Sequence, residues 1–235
     1  LDAVQTQKKD VPTMGGLMMV AGILVSLLLW GDLQHPFIWI GAGCVVLFGA
    51  LGFVDDWIKL RRKPKRGLSK LAKLSVQIIL GLALGVVLHR MDGKIIYESS
   101  TFDARVAFPF VGRLVSLGSW YVAWVVLVVA ATSNATNLAD GLDGLAAGCT
   151  VIAALAVPTV CFFAWEWLPG ELGDAGRTPS LVLSLALLGA ALGFLWFNCH
   201  PAQIFMGDTG SLMIGALLAY IALLAKVEML FFVIG

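Results

Sequence analysis

The chain has 235 residues, of which 59% are hydrophobic and 13% are charged, and its mean hydropathy is +0.90. Soluble domains carry about 25% charged residues, so this composition excludes a soluble globular enzyme. The net charge of +1 gives no support to nucleic-acid binding, and the four cysteines show neither metal-site spacing nor a disulfide framework. We predict an all-α polytopic membrane protein with a single transmembrane domain over residues 1–235.

Seven apolar stretches approach the length of about 20 residues that a membrane-spanning helix needs. They cover residues 14–30, 37–54, 74–89, 119–136, 144–163, 180–197 and 211–225. An eighth apolar run begins at Met229 and continues to Gly235. Because the chain starts at Leu1 without a methionine and ends inside an apolar run, we expect it to be a fragment of a longer protein.

The basic residues are distributed unevenly among the loops. Ten of the sixteen lie before the first span, at Lys8 and Lys9, or between the second and third spans. An excess of Lys and Arg marks the cytoplasmic side of a membrane protein, so the even-numbered spans are predicted to end in the cytoplasm. On the opposite side, Ile95–Tyr97 and Arg105–Phe108 are predicted to form a small periplasmic β-hairpin.

Polar clusters follow the second, fourth and sixth spans, which all end on the predicted cytoplasmic side. The residues are Asp55 and Asp56; Asn134, Asn137, Asp140 and Asp143; and Asn198 and Asp208. A solvated helix end, a turn and a helix cap are the ordinary explanations of such clusters. Carboxylates that abut an apolar run are costly, however, unless they are paired or bound to a metal.

Together these residue types suit one chemistry. Carboxylate oxygens hold Mg²⁺, which bridges substrate phosphates, while lysines and helix N-termini neutralise the remaining phosphate charge. Phosphoryl transfer needs mainly positioning and charge stabilisation. We therefore predict metal-dependent phosphoryl transfer at the cytoplasmic membrane surface, which requires the three loops to converge. The isolated histidines His35, His89 and His200 are expected to have no part in it.

Five motifs in order resemble the polyprenyl-phosphate N-acetylhexosamine-1-phosphate transferase superfamily, also called glycosyltransferase family 4. They are Pro12-Thr13-Met14-Gly15-Gly16, Gly52-Phe53-Val54-Asp55-Asp56-Trp57-Ile58-Lys59, Gly67-Leu68-Ser69 with Lys73, the run 134–144, and Phe205-Met206-Gly207-Asp208-Thr209-Gly210-Ser211. The Pro-Thr-Met-Gly-Gly motif is more similar to the phospho-N-acetylmuramoyl-pentapeptide-transferase branch than to the N-acetylglucosamine-1-phosphate branch. The resemblance covers nearly the whole chain.

The resemblance implies a reaction, its cofactor and its location. Undecaprenyl phosphate would attack UDP-N-acetylmuramoyl-pentapeptide with Mg²⁺ as cofactor, giving lipid I and UMP for peptidoglycan synthesis. The protein would lie in the bacterial inner membrane with its active site facing the cytoplasm, and the family leaves a homodimer open. It also implies about ten spans, with a first helix, a histidine-rich cytoplasmic loop and a last helix outside these 235 residues.

The motifs also imply a role for each matching residue. Asp208 matches the Mg²⁺-binding aspartate, Asp55 matches either a base or a partner of the lipid phosphate, and Asp56 is its adjacent acid. Phe205 matches the aromatic residue that stacks on uracil. The remaining substrate contacts would be Asn134, Asn137, Asp140 and Asp143 around the nucleoside and phosphates, Asn198, and the cations Lys59 and Lys73, with Lys8 or Lys9 in addition.

Two other interpretations remain open at the level of the sequence. One is another branch of the same superfamily, which moves N-acetylglucosamine-1-phosphate or a related sugar phosphate. The other is an ion-coupled transporter, because intramembrane acids often mark ion pathways. Transporters usually place such acids near the bilayer midplane, whereas here they lie at the ends of spans.

Overall fold

The computed structural model describes residues 11–62, 67–97, 100–108, 113–159 and 174–229. Seven helices of ten or more residues lie within these ranges. They are α1 (Gly16–Trp30), α2 (Pro36–Arg61), α3 (Lys70–Arg90), α4 (Trp120–Ala139), α5 (Leu145–Thr159), α6 (Arg177–Asn198) and α7 (Gly207–Ala225). A short 3₁₀ turn, Asp174–Gly176, precedes α6.

Each predicted span corresponds to one of these helices, which confirms the all-α polytopic membrane architecture. Five helices, α2, α3, α4, α6 and α7, are long and apolar enough to cross a membrane, whereas α1 and α5 have 15 residues each. The predicted end of the fifth span, most of the eighth apolar run, and Lys8 and Lys9 lie outside the described residues.

Helix α2 is longer than its apolar run, which was predicted to end at residue 54. It continues through both aspartates to Arg61. A 3.0 Å hydrogen bond from the Arg62 N–H to the Ile58 carbonyl closes the last turn of the helix. The helix can continue because Asp55 and Asp56 are buried against protein, with 0% and 7% of their surface exposed, and have charged or polar partners there.

The segment between α3 and α4 forms two short hairpins instead of the single predicted one. Strand β1 (Ile95–Tyr97) pairs with β2 (Ser100–Thr101), and β3 (Val106–Phe108) pairs with β4 (Arg113–Val115), both antiparallel. The predicted partners β1 and β3 therefore do not pair with each other. Each strand pairs with its nearest neighbour in sequence, which closes a shorter loop at a lower entropic cost.

Helix α7 forms the centre of the bundle. Every residue from Thr209 to Ala225 is buried. Helices α2 and α4 make its most extensive contacts, while α3 packs on α4 and α5 packs on α6. Polar groups near the start of α7 are consequently surrounded by protein, and the end of α2, the start of α3 and the end of α4 meet them at one end of the bundle.

Candidate active site

The N-terminus of α7 is capped by a side chain from another helix. Its own N-cap residue, Met206, makes no side-chain cap hydrogen bond. Instead, the backbone N–H groups of Asp208 and Thr209 donate to the Asp56 carboxylate, at 3.2 and 2.9 Å, and the Thr209 hydroxyl donates at 2.8 Å. A negative charge at a helix N-terminus is stabilised by the helix dipole. Asp56 therefore binds α2 to the start of α7.

Two glycines make this close approach possible. A Cβ atom on Gly52 would lie 2.1 Å from the backbone oxygen of Asp208. Gly207 has a φ of +75°, and a Cβ there would lie 2.7 Å from Asp56 Oδ2. A side chain at position 52 would push α2 away from α7, whereas one at position 207 would be strained by the positive φ and would displace the Asp56 carboxylate.

Asp55 is next to Asp56 in sequence but has mostly different partners; Lys59, whose Nζ lies 3.6 Å from Asp56 Oδ1, is the one that they share among the described residues. Asp55 is fully buried, and its Oδ1 accepts a 2.6 Å hydrogen bond from the Leu68 N–H. Its Oδ2 lies 2.6 Å from Lys59 Nζ and 3.3 Å from Lys73 Nζ. Asp55 thus holds both lysines and the residues that lead into α3.

Asp208 completes a compact cluster of three acids and two lysines. Lys59 Nζ lies 3.1 Å from Asp208 Oδ1, and Lys73 Nζ forms an ion pair with Asp208 Oδ2. One carboxylate oxygen from each of Asp55, Asp56 and Asp208 lies within 4.8 Å of the other two. The two lysine ammonium groups offset two of the three negative charges, so the cluster keeps a net negative charge of one.

The donor set also fits a divalent metal ion. Mg²⁺ prefers carboxylate oxygens and usually retains several waters. Asp56 has both oxygens occupied by the N-terminus of α7, and the side chain of Asp55 is fully buried. Asp208 is partly exposed, with 15% of its side-chain surface accessible. It is therefore the acid of the three that is best placed to share a cation with a ligand from outside.

Asp140 lies directly after α4 and faces the same helix terminus. Burial, followed by the negative charge of Asp208, raises its pKa to about 7, while the Gly207 backbone opposes this shift through a hydrogen bond. A carboxyl group with a pKa near neutrality changes its protonation state when a positive charge enters the site. Asp140 is thus electrostatically coupled to the cluster around Asp208.

The two asparagines of α4 contact neighbouring helices. The Asn137 amide donates to the Ser211 hydroxyl of α7 at 2.8 Å. The Asn134 amide donates to Gln77 Oε1 of α3, also at 2.8 Å. Both side chains therefore lie on the face of α4 that meets the start of α7 and the lysine-bearing helix α3.

Asn198 and Asp143 organise the loops beside this face. Buried Asn198 accepts from the Gly144 N–H at 3.0 Å and donates to the Ile204 carbonyl at 2.8 Å. Asp143 Oδ2 lies 3.1 Å from Nδ1 of His200. Asn198 thereby joins the loop after α4 to the loop before α7.

The first and last motifs lie side by side through their backbones. The Phe205 N–H donates to the Pro12 carbonyl, and the Gly15 and Gly16 N–H groups donate to the carbonyls of Phe205 and Met206, each at 2.9 Å. The Phe205 side chain is half-buried at this junction. The five motifs are therefore brought to one end of the bundle, as the convergence hypothesis requires.

Several residues of the site were missed by the sequence interpretation. Thr209 and Leu68 belong to two of the motifs, but no role was predicted for either. Each donates a hydrogen bond to a buried aspartate. Gln77 was not considered, and its only signal is its position four residues after Lys73 on one helical face. His200 was expected to have no part in phosphoryl transfer; its Nδ1 lies 3.1 Å from Asp143 Oδ2, and the expectation stays a prediction.

Sequence comparisons agree with this geometry. The sequence model described as glycosyl transferase family 4 matches residues 38–226. Three similar curated proteins are each named phospho-N-acetylmuramoyl-pentapeptide-transferase. They come from Chloroherpeton thalassium, 40% identical over 95% of this chain; Desulforapulum autotrophicum, 39% identical over 97%; and Solidesulfovibrio magneticus, 41% identical over 99%.

The alignments cover 61%, 63% and 64% of those three relatives. The chain thus spans about three-fifths of the length of the curated proteins that it matches.

Proposed function

The chain belongs to glycosyl transferase family 4, and from this premise we propose that the protein carrying it is a phospho-N-acetylmuramoyl-pentapeptide-transferase. It would transfer the phosphosugar from UDP-N-acetylmuramoyl-pentapeptide to undecaprenyl phosphate, giving lipid I and UMP. The observation that carries the proposal is the convergence of Asp55, Asp56 and Asp208 with two lysines at one end of an apolar helix bundle. The identity of the proposed substrate is inferred from the names of the relatives.

Each substrate presents negative charge to this end of the bundle. Lys59 and Lys73, whose side chains are 37% and 17% exposed, would contact the diphosphate and the lipid phosphate. Pairing with Asp55 and Asp208 holds both ammonium groups at the start of α7 before substrate arrives. Such pre-positioned positive charge stabilises phosphoryl transfer without reorganisation at the moment of reaction.

Mg²⁺ is the proposed cofactor, with Asp208 as its principal protein ligand and Asp55 and Asp56 in the same cluster. When bound, the ion would neutralise charge on the diphosphate and polarise the phosphorus that is attacked. The Gly52 contact and the Asp56 cap fix the position of the Asp208 backbone, and these contacts would therefore determine where the ion can be held.

Asp55 is proposed to position the lysines. A phosphate monoester has a second pKa near 6, so the lipid phosphate needs little help to lose its proton at neutral pH. Both oxygens of Asp55 are engaged, by the Leu68 N–H and by the two ammonium groups. A base would have to give up one of these contacts, which favours an anchoring role.

Asn137, Asp140, Asp143, Asn198 and Phe205 are proposed to bind the nucleotide on the other side of the start of α7. Asn198 would act by holding the two loops in place, because both ends of its amide bind backbone groups. With the basic loop on the cytoplasmic side, the site would face the cytoplasm from the bacterial inner membrane. A homodimer stays a prediction.

The test is release of UMP by the full-length protein in detergent with undecaprenyl phosphate and Mg²⁺. We expect release from UDP-N-acetylmuramoyl-pentapeptide but not from UDP-N-acetylglucosamine. Asp208→Asn should lower turnover by about a hundredfold or more at saturating lipid, because the proposed metal-binding side chain loses its negative charge. Release from UDP-N-acetylglucosamine alone would assign the other branch, and an Asp208→Asn variant as active as wild type at ordinary Mg²⁺ would remove Asp208 from the metal site.

A further inference from the structure

A buried glutamine of α3 connects the lysine-bearing helix to an asparagine of the site. Gln77 is 0% exposed and lies one helical turn beyond Lys73. Its Nε2 donates to the Ser133 hydroxyl at 3.2 Å, and its Oε1 accepts from the Asn134 amide at 2.8 Å. Both polar ends of this buried side chain are therefore used on consecutive residues of α4.

The direction of these hydrogen bonds is fixed by a backbone carbonyl. The amide nitrogen of Asn134 lies 2.8 Å from the Ala130 oxygen. A carbonyl oxygen can only accept, so the Asn134 atom facing it must be the NH₂ group. The same NH₂ group faces Gln77, which must then present its oxygen to Asn134 and its NH₂ group to Ser133.

Both N–H groups of the Asn134 amide are consequently used in hydrogen bonds within the protein. One donates to the Ala130 carbonyl and the other to Gln77. Among the described residues, none donates a hydrogen bond to the Asn134 amide oxygen, and Asn134 as a whole is exposed, so this oxygen is available to a ligand. Phosphate oxygens are acceptors, so this end of Asn134 is unsuited to them, whereas a hydroxyl or an amide N–H of the substrate would be bound.

We propose that Gln77 is a positioning residue which holds Asn134 as a pure hydrogen-bond acceptor, and that Asn134 selects a hydroxyl or N–H donor of the nucleotide-sugar rather than its phosphates. This inference rests on the proposed function for the identity of the substrate. It assigns a positioning role in the site to Gln77, which is fully buried, and it separates Asn134 from the phosphate-binding residues of the cluster.

The test is a double-mutant cycle in the full-length protein, with variants Gln77→Leu and Asn134→Ala, alone and combined. Titration calorimetry with UDP-N-acetylmuramoyl-pentapeptide, without polyprenyl phosphate, gives Kd, and UMP release gives kcat and KM. Losing one hydrogen bond weakens binding by up to about tenfold. We expect each single variant to raise Kd and KM by about three- to tenfold with little change in kcat, and the double variant to be no worse than Asn134→Ala.

Two further variants separate positioning from general packing. Gln77→Glu in its neutral form keeps an acceptor oxygen for Asn134 and an O–H donor for Ser133, the two hydrogen bonds that Gln77 makes, so it should restore most of the binding that Gln77→Leu loses. Thr150→Val is the matched control, because it removes a buried 2.7 Å hydrogen bond to the Ala146 carbonyl on α5 without touching the site. It should leave Kd and KM unchanged.

Additive effects of Gln77→Leu and Asn134→Ala, or an equal loss in Thr150→Val, would overturn the proposal. If Gln77→Leu does not fold, Ser133→Ala replaces it in the cycle, with a smaller expected rise in Kd that must also vanish in the Asn134→Ala background. Normal binding by Asn134→Ala in an active enzyme refutes this inference alone. No UMP release by the wild type would instead refute the proposed function.

Discussion

Asp56 should act mainly as the cap of α7, and removing its charge should therefore destabilise the protein. It accepts hydrogen bonds from the Asp208 and Thr209 N–H groups and from the Thr209 hydroxyl. A hydrogen bond to a charged group contributes about 1.5–3 kcal/mol, against about 0.5–1.5 kcal/mol for a neutral one. In favourable geometry, the helix dipole adds up to about 2 kcal/mol.

Asp56→Asn keeps one acceptor oxygen but turns an NH₂ group toward one of the three donors. We expect the free energy of unfolding to fall by about 3 kcal/mol, from the lost charge–dipole attraction and at least one lost bond. Thr209→Val removes only the hydroxyl donor and should cost about 2 kcal/mol. The two changes share a contact, so the double variant should lose less than the sum of the singles.

The assay is equilibrium unfolding of the full-length protein in mixed micelles of a mild detergent and dodecyl sulfate. Asp92→Asn serves as the control, because Asp92 is exposed and accepts, within the described part of the chain, one backbone hydrogen bond, from Ala104 at 2.8 Å. The capping argument is wrong if Asp56→Asn loses no more stability than this control. It is also wrong if high Mg²⁺ restores Asp56→Asn fully, since Asp56 would then be a metal ligand.

Two predictions concern pH. Asp55→Asn should lose UMP-release activity by the same factor from pH 6 to 9, because Asp55 holds two lysines; a loss that shrinks at high pH would restore the base role. Burial raises the pKa of Asp140 in the folded protein to about 7, from the ordinary value of 3.8, so between these two pH values the folded state binds more protons than the unfolded state. The contribution of Asp140 to the free energy of unfolding should therefore fall as pH rises from 4 to 7 and level off above 7. Asp140→Asn should lack this component of the slope, measured as the stability difference from wild type at each pH, and a constant difference would refute it.

The membrane spans and the common location of the acids could be predicted from the sequence. Hydrophobic runs of about 20 residues have few alternatives in a chain with this composition. The uneven distribution of Lys and Arg then assigns the ends of the spans to two sides. Asp55, Asp140 and Asp208 accordingly lie at one end of the bundle, although each comes from a different loop or helix end.

The separate tasks of Asp55 and Asp56 could not be predicted. Neighbouring residues on an α-helix point about 100° apart, so adjacent acids can face different partners. The partner of each acid depends on how α2 packs against α3 and α7. This packing cannot be inferred from the order of residues along the chain. The same limit applies to Gln77, which in the sequence is one polar residue within an apolar run.

The position of α7 explains why all five motifs meet at one place. A polar helix start is costly in a membrane unless other protein surrounds it, and α7 is enclosed along its whole length after Asp208. Gly16 lies against Gly210, Gly52 against the Asp208 oxygen, and Asn137 against Ser211. Each of these contacts joins a different motif to the first two turns of the same helix. The motifs therefore surround the start of α7, and a substitution in any of them should shift the position of the Asp208 side chain.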